Sequence, residues 1–369
     1  MIGVVCTSYP RSLDDPAGSF VRTRVRILSQ SGHSIEVLAA GEQGETAEDG
    51  VRIVRLRGSG STRLFYKGGA PEALSNPSGG GAAWLEALGF SACLMAEVTR
   101  RAAGWDRVES HWLLPSTLAV CSAAPHLRHR AHAHGGDVFL LERIPLGASL
   151  ARIICRAGID LVFVSHELRR RFAVLCGAAP ETWGARTLIE PAPIDASVFR
   201  RAGRAERQAA RERLGLRGAM VMAAGRLVPI KGFDVLVLAL ARLPLPVRPR
   251  LVIAGTGPEA SRLQRLAHAC AVDLCLLGNV GHADLATWAM AADIFVHPCR
   301  SLPDGRHEGA PLVVREALAL GVPVIASRLG GIPDLFGHPG LILVQANHSQ
   351  SLAREIQATL LRVRKKSAA

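Results

Sequence analysis

Aromatic side chains make up 5% of this chain, with only two tyrosines among them. Proteins that follow single-stranded nucleic acid stack bases on aromatic residues interleaved with basic ones. No such interleave occurs here, so nucleic acid is not an expected partner despite the formal net charge of +13. Long hydrophobic runs are missing as well. No stretch of eighteen or more uninterrupted apolar residues exists, which argues against a membrane span. The opening MIGVVCTSYP lacks the basic and apolar regions of a signal peptide and reads as a first strand. None of the eight cysteines forms a C-x-x-C pair, and most sit in apolar runs. Buried thiols of a cytoplasmic protein are expected, not disulfides or zinc ligands.

What is present fits a globular chain. The sequence has 369 residues, 49% hydrophobic and 20% charged, enough for two domains with a core each. The positive balance favours anionic partners such as phosphorylated ligands or an acidic membrane face. The alternative is arginine enrichment without a functional meaning.

Short apolar runs alternate with helical patterns along the whole chain. IEVLAA and VRIVRL read as strands, and GSFVRTRVRILSQSG as a loop and a helix that stops at Gly32. Residues 57 to 83 are rich in Gly, Ser and Pro and read as a long mobile loop, followed by a helix from about Trp84 to Gly104. Prolines and charge mark a boundary near residue 195. Beyond it, five apolar runs each end in Gly or Pro: AMVMAAGRL, RLVIAGTGP, DLCLLGNVG, DIFVHPC and PVIASRLGG. The pattern predicts two α/β domains, 1–195 and 196–369, each a doubly wound, Rossmann-like parallel sheet.

Ligands of such sheets sit at the carboxyl ends of the strands. In GRLVPIKGFD, Arg226 and Lys231 directly follow a strand and could neutralise a diphosphate there. Two solvated loop charges are the alternative. In HEGAPLVVREALALG, Pro311 suits a first helical turn and Gly321 the residue past the end. Glu316 then shares a face with Leu312, Val313, Ala319 and Leu320, an apolar setting in which a carboxylate needs a partner such as ligand hydroxyls. Glu308 falls just before the helix, near its positive end. The alternative pairs Glu316 with an internal arginine and leaves Glu308 solvated.

Taken in order, GRLVPIKGFDVLVLAL, LVIAGTGPE, LLGNV, ADIFVHPC, EGAPLVVREALALGVPVIAS and GGIPDL resemble the nucleotide-sugar-binding domain of the GT-B retaining glycosyltransferases, glycosyltransferase family 4 (group 1). The first half resembles the same family in GSFVRTRVRILSQSGHSIEVL, SHWLLPSTLA, HGGDV and VSHEL. The resemblance implies a GT-B fold, two Rossmann-like domains facing a cleft, the first binding the acceptor and the second the donor. It implies that Arg226 and Lys231 hold the donor diphosphate and that Glu316 hydrogen-bonds the ribose. Glu308 contacts the sugar near the reacting carbon, while Gly309, Ala310, Pro311 and Leu312 shape the pocket. Gly18 lets the main chain approach the phosphate or sugar, and His134 touches sugar or acceptor. EPAPID stands where the family has a different linker, and Asp334 where a glutamate is frequent. One helix, about Ser349 to Arg364, is expected after the last strand.

The implied reaction is sugar transfer with retention, from a UDP- or GDP-linked sugar to a glycan or lipid-linked acceptor, in cell-surface polysaccharide or glycolipid synthesis. A GT-B-fold epimerase and a non-catalytic nucleotide-sugar-binding partner protein are the alternatives. No cofactor is expected. D-x-D is absent, so a metal-held diphosphate has no sequence support, and the two cations would replace the ion. His126, His129, His132 and His134 form a histidine run, but no carboxylate or cysteine near them in sequence completes a metal spacing. Arg52, Arg55, Arg57, Arg63 and Lys67, with Leu64, Phe65 and Tyr66 among them, suit an anionic or lipid-linked acceptor. They would also support peripheral association with an anionic cytoplasmic membrane face. A solvated basic loop is the other reading.

Overall fold

The inner strands in both halves of the chain are buried along almost their whole length, as sheets covered by helices on both faces require, while the edge strands are partly or largely exposed. The computed structural model describes residues 1–12, 15–56, 65, 80–177, 179–183 and 186–368. The chain divides into two units, Met1–Pro193 and Ile194–Ala369.

The first unit holds strands β1 (Ile2–Cys6), β2 (Ile35–Ala40), β3 (Gly44–Glu48), β4 (Val51–Leu56), β5 (Arg107–His111), β6 (Arg128–Ala133), β7 (Asp160–Phe163) and β8 (Arg186–Ile189). Their order in the sheet is β3-β4-β2-β1-β5-β6-β7-β8. All pairs are parallel except β3 with β4. Its helices are α1 (Ser19–Gln30), α2 (Gly80–Arg101), α3 (Leu118–Ala123), α4 (Gly136–Leu141), α5 (Gly147–Arg156) and α6 (His166–Cys176).

The second unit has β9 (Met220–Ala224), β10 (Arg250–Ala254), β11 (Leu274–Gly278), β12 (Ile294–His297), β13 (Val324–Ser327) and β14 (Leu341–Val344), ordered β11-β10-β9-β12-β13-β14 and parallel throughout. Helices α7 (Arg204–Arg213), α8 (Phe233–Ala241), α9 (Ala260–Ala269), α10 (His282–Ala291), α11 (Leu312–Ala319) and α12 (Ser349–Ala368) pack against it. The period-two alternation of a strand feeds two cores at once. Val221 and Ala223 join Leu251, Ile253 and Val296 on one face. Met220, Met222 and Ala224 join Val252 and Phe295 on the other.

Several sequence expectations change. β3 was not expected: GETAE is mostly polar, and it is a strand because it pairs antiparallel with β4 at an exposed edge. A sixth strand, β14, extends the second sheet beyond the five apolar runs. α2 begins at Gly80 instead of Trp84. α11 spans Leu312–Ala319, with Pro311 as its N-cap in extended conformation. Cys93 is exposed, against the expectation of buried thiols, whereas Cys6, Cys155, Cys176 and Cys299 are buried. The segment from Gly81 to Gly104 is long and apolar enough to cross a membrane, and most of it is not buried in the protein. Its polar residues are few and scattered, so counting uninterrupted apolar residues missed it.

Candidate active site

In the second unit, the loop after β9 carries Arg226, the short Pro229–Lys231 turn leads into α8, and the loop after β12 leads toward α11. These strand ends lie side by side because β12 pairs with β9. Lys231 Nζ stands 2.8 Å from Glu308 Oε1, with side chains 12% and 17% exposed. His297, at the end of β12 and fully buried, places Nε2 3.9 Å from Glu308 Oε2. Burial raises the Glu308 carboxyl, but the Lys231 charge and hydrogen bond, with His297 and Arg226, together hold it below the ordinary glutamate range. Burial, joined by the Lys231 charge, pushes His297 down to about 3. His297 is therefore neutral at ordinary pH, and Lys231 is the cation that balances Glu308.

Glu316 lies in the second turn of α11 and is 7% exposed. Burial pushes its carboxyl up to about 7, against the Arg315 charge. A buried carboxyl of this kind is expensive to ionise without donors. The pocket backbone between the two glutamates is fixed by crossing loops. Gly331 N donates to Gly309 O. Gly330 has φ +61°, and a Cβ built there would lie 1.8 Å from Glu308 O. Only glycine allows that approach.

A second layer of charge positions Lys231. Asp234, 6% exposed, accepts from Arg300 Nη2 at 2.6 Å and Arg262 Nη2 at 3.0 Å. Arg300 also donates through Nε to Pro229 O at 2.7 Å, and its backbone N–H bonds Ile230 O at 3.0 Å. The two residues before Lys231 are thus clamped to the β12 loop. Burial raises the Asp234 carboxyl, but Arg300 and Arg262 hold it below the usual range.

Of the residues expected from sequence, Arg226, Lys231, Glu308, Gly309, Ala310, Pro311, Leu312 and Glu316 lie together in this unit. Arg226 is exposed, and its charge reaches Glu308. The alternative of a solvated Glu308 is corrected by its ion pair. His297, Asp234 and Arg300 were not foreseen. VHPC and KGFD offered a histidine and an aspartate beside the expected residues, but the partners of Asp234 come from a helix and a loop distant in sequence.

Gly18 and His134 belong to the first unit. Gly18 caps α1 at φ +73°, and a Cβ there would lie 2.3 Å from Ser8 O; close packing inside the fold already calls for glycine. His134 follows β6. Its ring Nε2 lies 3.0 Å from His111 Nδ1, and its backbone N–H donates to Asp137 Oδ1 at 3.2 Å. Asp137 is buried and also accepts from Leu113, Gly135 and Val138 N–H groups, so the aspartate of HGGD organises the turn. Burial, then the neighbouring His132, holds His134 neutral.

The histidine run also looks different in space. Glu109 and His111 share a face of β5, and His111 pairs in register with His132 on β6. Glu109, His111 and His132 bring one ligand atom each within 4.8 Å of one another. The carboxylate judged missing from the sequence spacing therefore comes from the neighbouring strand. Both of its oxygens face Arg24, at 2.9 and 3.0 Å, and burial notwithstanding, His132 and Arg24 bring Glu109 down to about 2. Among the other basic residues, Arg52 lies 3.6 Å from Glu36, and Arg55 donates to the carbonyls of Tyr9 and Pro10. Both sit on β4, not in a loop. Phe65 is buried, while Arg57, Arg63, Leu64, Tyr66 and Lys67 lie outside the described residues.

Two doubly wound units in one chain, with cations and carboxylates gathered at the strand ends of the second, are the parts of the GT-B fold class. Residues 206–367 match the family described as Glycosyl transferases group 1, and the second unit belongs to that family. The chain is 38% identical over 238 residues to a GDP-mannose-dependent alpha-(1-6)-phosphatidylinositol monomannoside mannosyltransferase of Mycobacterium tuberculosis, covering 63% of this chain and 60% of the relative. It is 34% identical over 259 residues to a D-inositol 3-phosphate glycosyltransferase of Mycobacterium bovis, covering 65% and 50%. The chain thus spans between half and 60% of the length of these relatives. In fold it is similar to sucrose-phosphate synthase from Thermosynechococcus elongatus, with a TM-score of 0.72, 18% identity and coverage of 98% of this chain and 90% of the other. It is also similar to HepE of Anabaena in complex with UDP, with a TM-score of 0.68, 19% identity and the same coverage.

Proposed function

We propose that this chain is a retaining glycosyltransferase of family 4 that moves a sugar from a nucleotide-sugar donor to a glycan or lipid-linked acceptor, in glycolipid or cell-surface polysaccharide synthesis. The observation that carries the reading is the half-buried Lys231–Glu308 pair beside neutral His297, built where a doubly wound sheet receives its ligands. An ammonium this sheltered, with Arg226 on the same loop, suits a diphosphate that gains charge as it leaves. In this reading the diphosphate competes with Glu308 for Lys231 and frees the carboxylate for the sugar. Glu316 accepts from the ribose hydroxyls. A front-face route with the leaving phosphate drawing the acceptor proton is consistent with the site. The two cations supply the positive charge that a divalent metal supplies elsewhere.

The first unit would bind the acceptor, with Gly18 and His134 reaching the substrates, and the protein would work in the cytoplasm, peripherally on the membrane. The mycobacterial relative's name makes GDP-mannose the first donor to try and phosphoinositides the first acceptors. The test is calorimetric binding of GDP and UDP, followed by transfer from the matching nucleotide sugar in the presence and absence of EDTA. Binding of one nucleotide, acceptor-dependent release and indifference to EDTA support the reading. No binding of any nucleotide sugar ends it, and turnover without acceptor points to the epimerase.

A further inference from the structure

The outer surface of α2 is at odds with a water-exposed helix. Its inner face buries Phe90, Leu94 and Val98. Its outer face carries Trp84, Leu85, Leu88 and Met95, with Leu85 73% and Leu88 63% exposed. Between Gly81 and Ala96 the one charged residue is Glu86. A helix apolar on all sides is normally buried in a core or in lipid. Alongside it runs a cavity of about 470 Å³, within the range of small-ligand pockets. Among the described residues no charged side chain lines it, and Ser91 and Ser122 supply its hydroxyls.

We infer that this cavity is an acyl-chain subsite for the lipid tail of the acceptor. The inference rests on the transferase reading and names the acceptor class. Three observations commit it to a hydrocarbon chain. The described lining is uncharged, so an ionic ligand would lose its solvation there without compensation. The exposed face of α2 continues the cavity outward as an apolar surface matched to lipid, and Leu146, 68% exposed, adds to the apolar surface near its lining residue Ile144. Arg143, Arg152 and Arg156 are exposed beside Ile144 and along α5, where an anionic headgroup is welcome. The cavity also shares its walls with the candidate acceptor region. Leu114 and Pro115 follow the Leu113 N–H that bonds Asp137, and Leu140 lies on α4, the helix begun by the His134 turn. A tail held there leaves its headgroup close to the segments that carry His134.

The test is displacement of a pyrene-labelled fatty acid by unlabelled fatty acids of rising length, each below its micellar concentration. Affinity should rise up to about fourfold per added methylene until the cavity is full. Ser91→Trp, which fills the cavity, should weaken the long chains at least tenfold. Leu88→Gln, an exposed change that spares the fold, should weaken them severalfold, and Val174→Glu on α6 should leave them unchanged. Nucleotide binding, measured in the same variants, should not move. Affinity without length dependence, or untouched by both cavity variants, overturns the subsite. So does a concentration-dependent dimer that protects α2 from hydrogen exchange, because a second copy would then be the occupant. If acyl chains titrate as expected and no nucleotide binds, the transferase reading falls, and the cavity stands as an acyl-chain site without an acceptor role.

Discussion

Lys231 and Glu308, 77 residues apart in sequence, form a 2.8 Å ion pair at the strand ends of the second unit. Each keeps the other's charge in a sheltered place, so removing one partner has opposite consequences for a diphosphate. Lys231→Ala should weaken nucleotide diphosphate binding by about a hundredfold, the scale of a lost charge-assisted contact left with an unpaired carboxylate. Lys231→Arg should not restore it, because a planar guanidinium does not reproduce the contacts of a compact ammonium. Glu308→Gln removes the competing anion and should bind the diphosphate equally or more tightly while transfer falls at least a hundredfold. Calorimetry beside initial rates checks both. A parallel loss of binding in Glu308→Gln would contradict a role in the transfer step.

Glu316 predicts a conflict between stability and binding. Its folded-state carboxyl titrates at about 7, above the ordinary 4.5. Between those values the unfolded chain has released the proton and the folded one retains it, so this group's contribution falls as pH rises from 4.5 to 7. Glu316→Gln should therefore raise the Tm of the ligand-free protein at pH 8, by at most about 3 kcal/mol of stability. The same change should weaken nucleotide binding. Wild-type binding should itself decline as pH falls below 7, where the carboxyl becomes protonated. Thermal unfolding at pH 5 and pH 8, with and without nucleotide, measures each part; equal Tm differences at the two pH values would count against it.

How much of this was legible before folding depends on where the signal sits. Glu308, Glu316, Arg226 and Lys231 announce themselves because each falls within one short motif beside a strand or helix start. The doubly wound class was legible because buried parallel strands are continuous apolar runs. What could not be read is whatever arises between strands. Glu109 joins the histidines through the β5–β6 register, and Arg300, after β12, reaches Asp234, after β9, because those two strands are neighbours in a sheet order that no local pattern states. β3 escaped because an edge strand needs backbone pairing and no core face. The lipid-like surface of α2 escaped because Glu86, Gly89 and Ser91 interrupt its apolar run.

Arg300 acts on Lys231 only through the backbone it clamps. Arg300→Ala frees Pro229 O and leaves Asp234 with Arg262 alone. The expected result is a donor KM raised about tenfold with kcat reduced less, since the cation is displaced and not removed. Asp234→Asn should have the larger effect on stability, because two arginines then face a neutral group in a half-buried place. Its depressed carboxyl stabilises the fold above the usual carboxylate range and loses that contribution as pH falls through the folded value. The Tm gap between wild type and Asp234→Asn should therefore narrow in acid. A gap that widens below pH 4 would show that the charge pairing is not its source.

Gly330 offers the most direct test of the backbone that presents Glu308. Its φ of +61° and the 1.8 Å separation between a built Cβ and Glu308 O leave no room for a methyl group. Gly330→Ala must displace either its own turn or the Glu308 carbonyl, and the Gly331 N–H bond to Gly309 O ties the two together. A strained left-handed residue costs about 1–2 kcal/mol by itself, and the clash adds to it. Stability should fall by about 2–4 kcal/mol. Transfer should fall further than nucleotide affinity, because Lys231 and Glu316 are anchored on other segments and remain in place. Chemical unfolding, nucleotide calorimetry and single-turnover rates on one preparation separate the three effects. Equal losses in affinity and rate would show instead that this loop holds the nucleotide and not the transferring sugar.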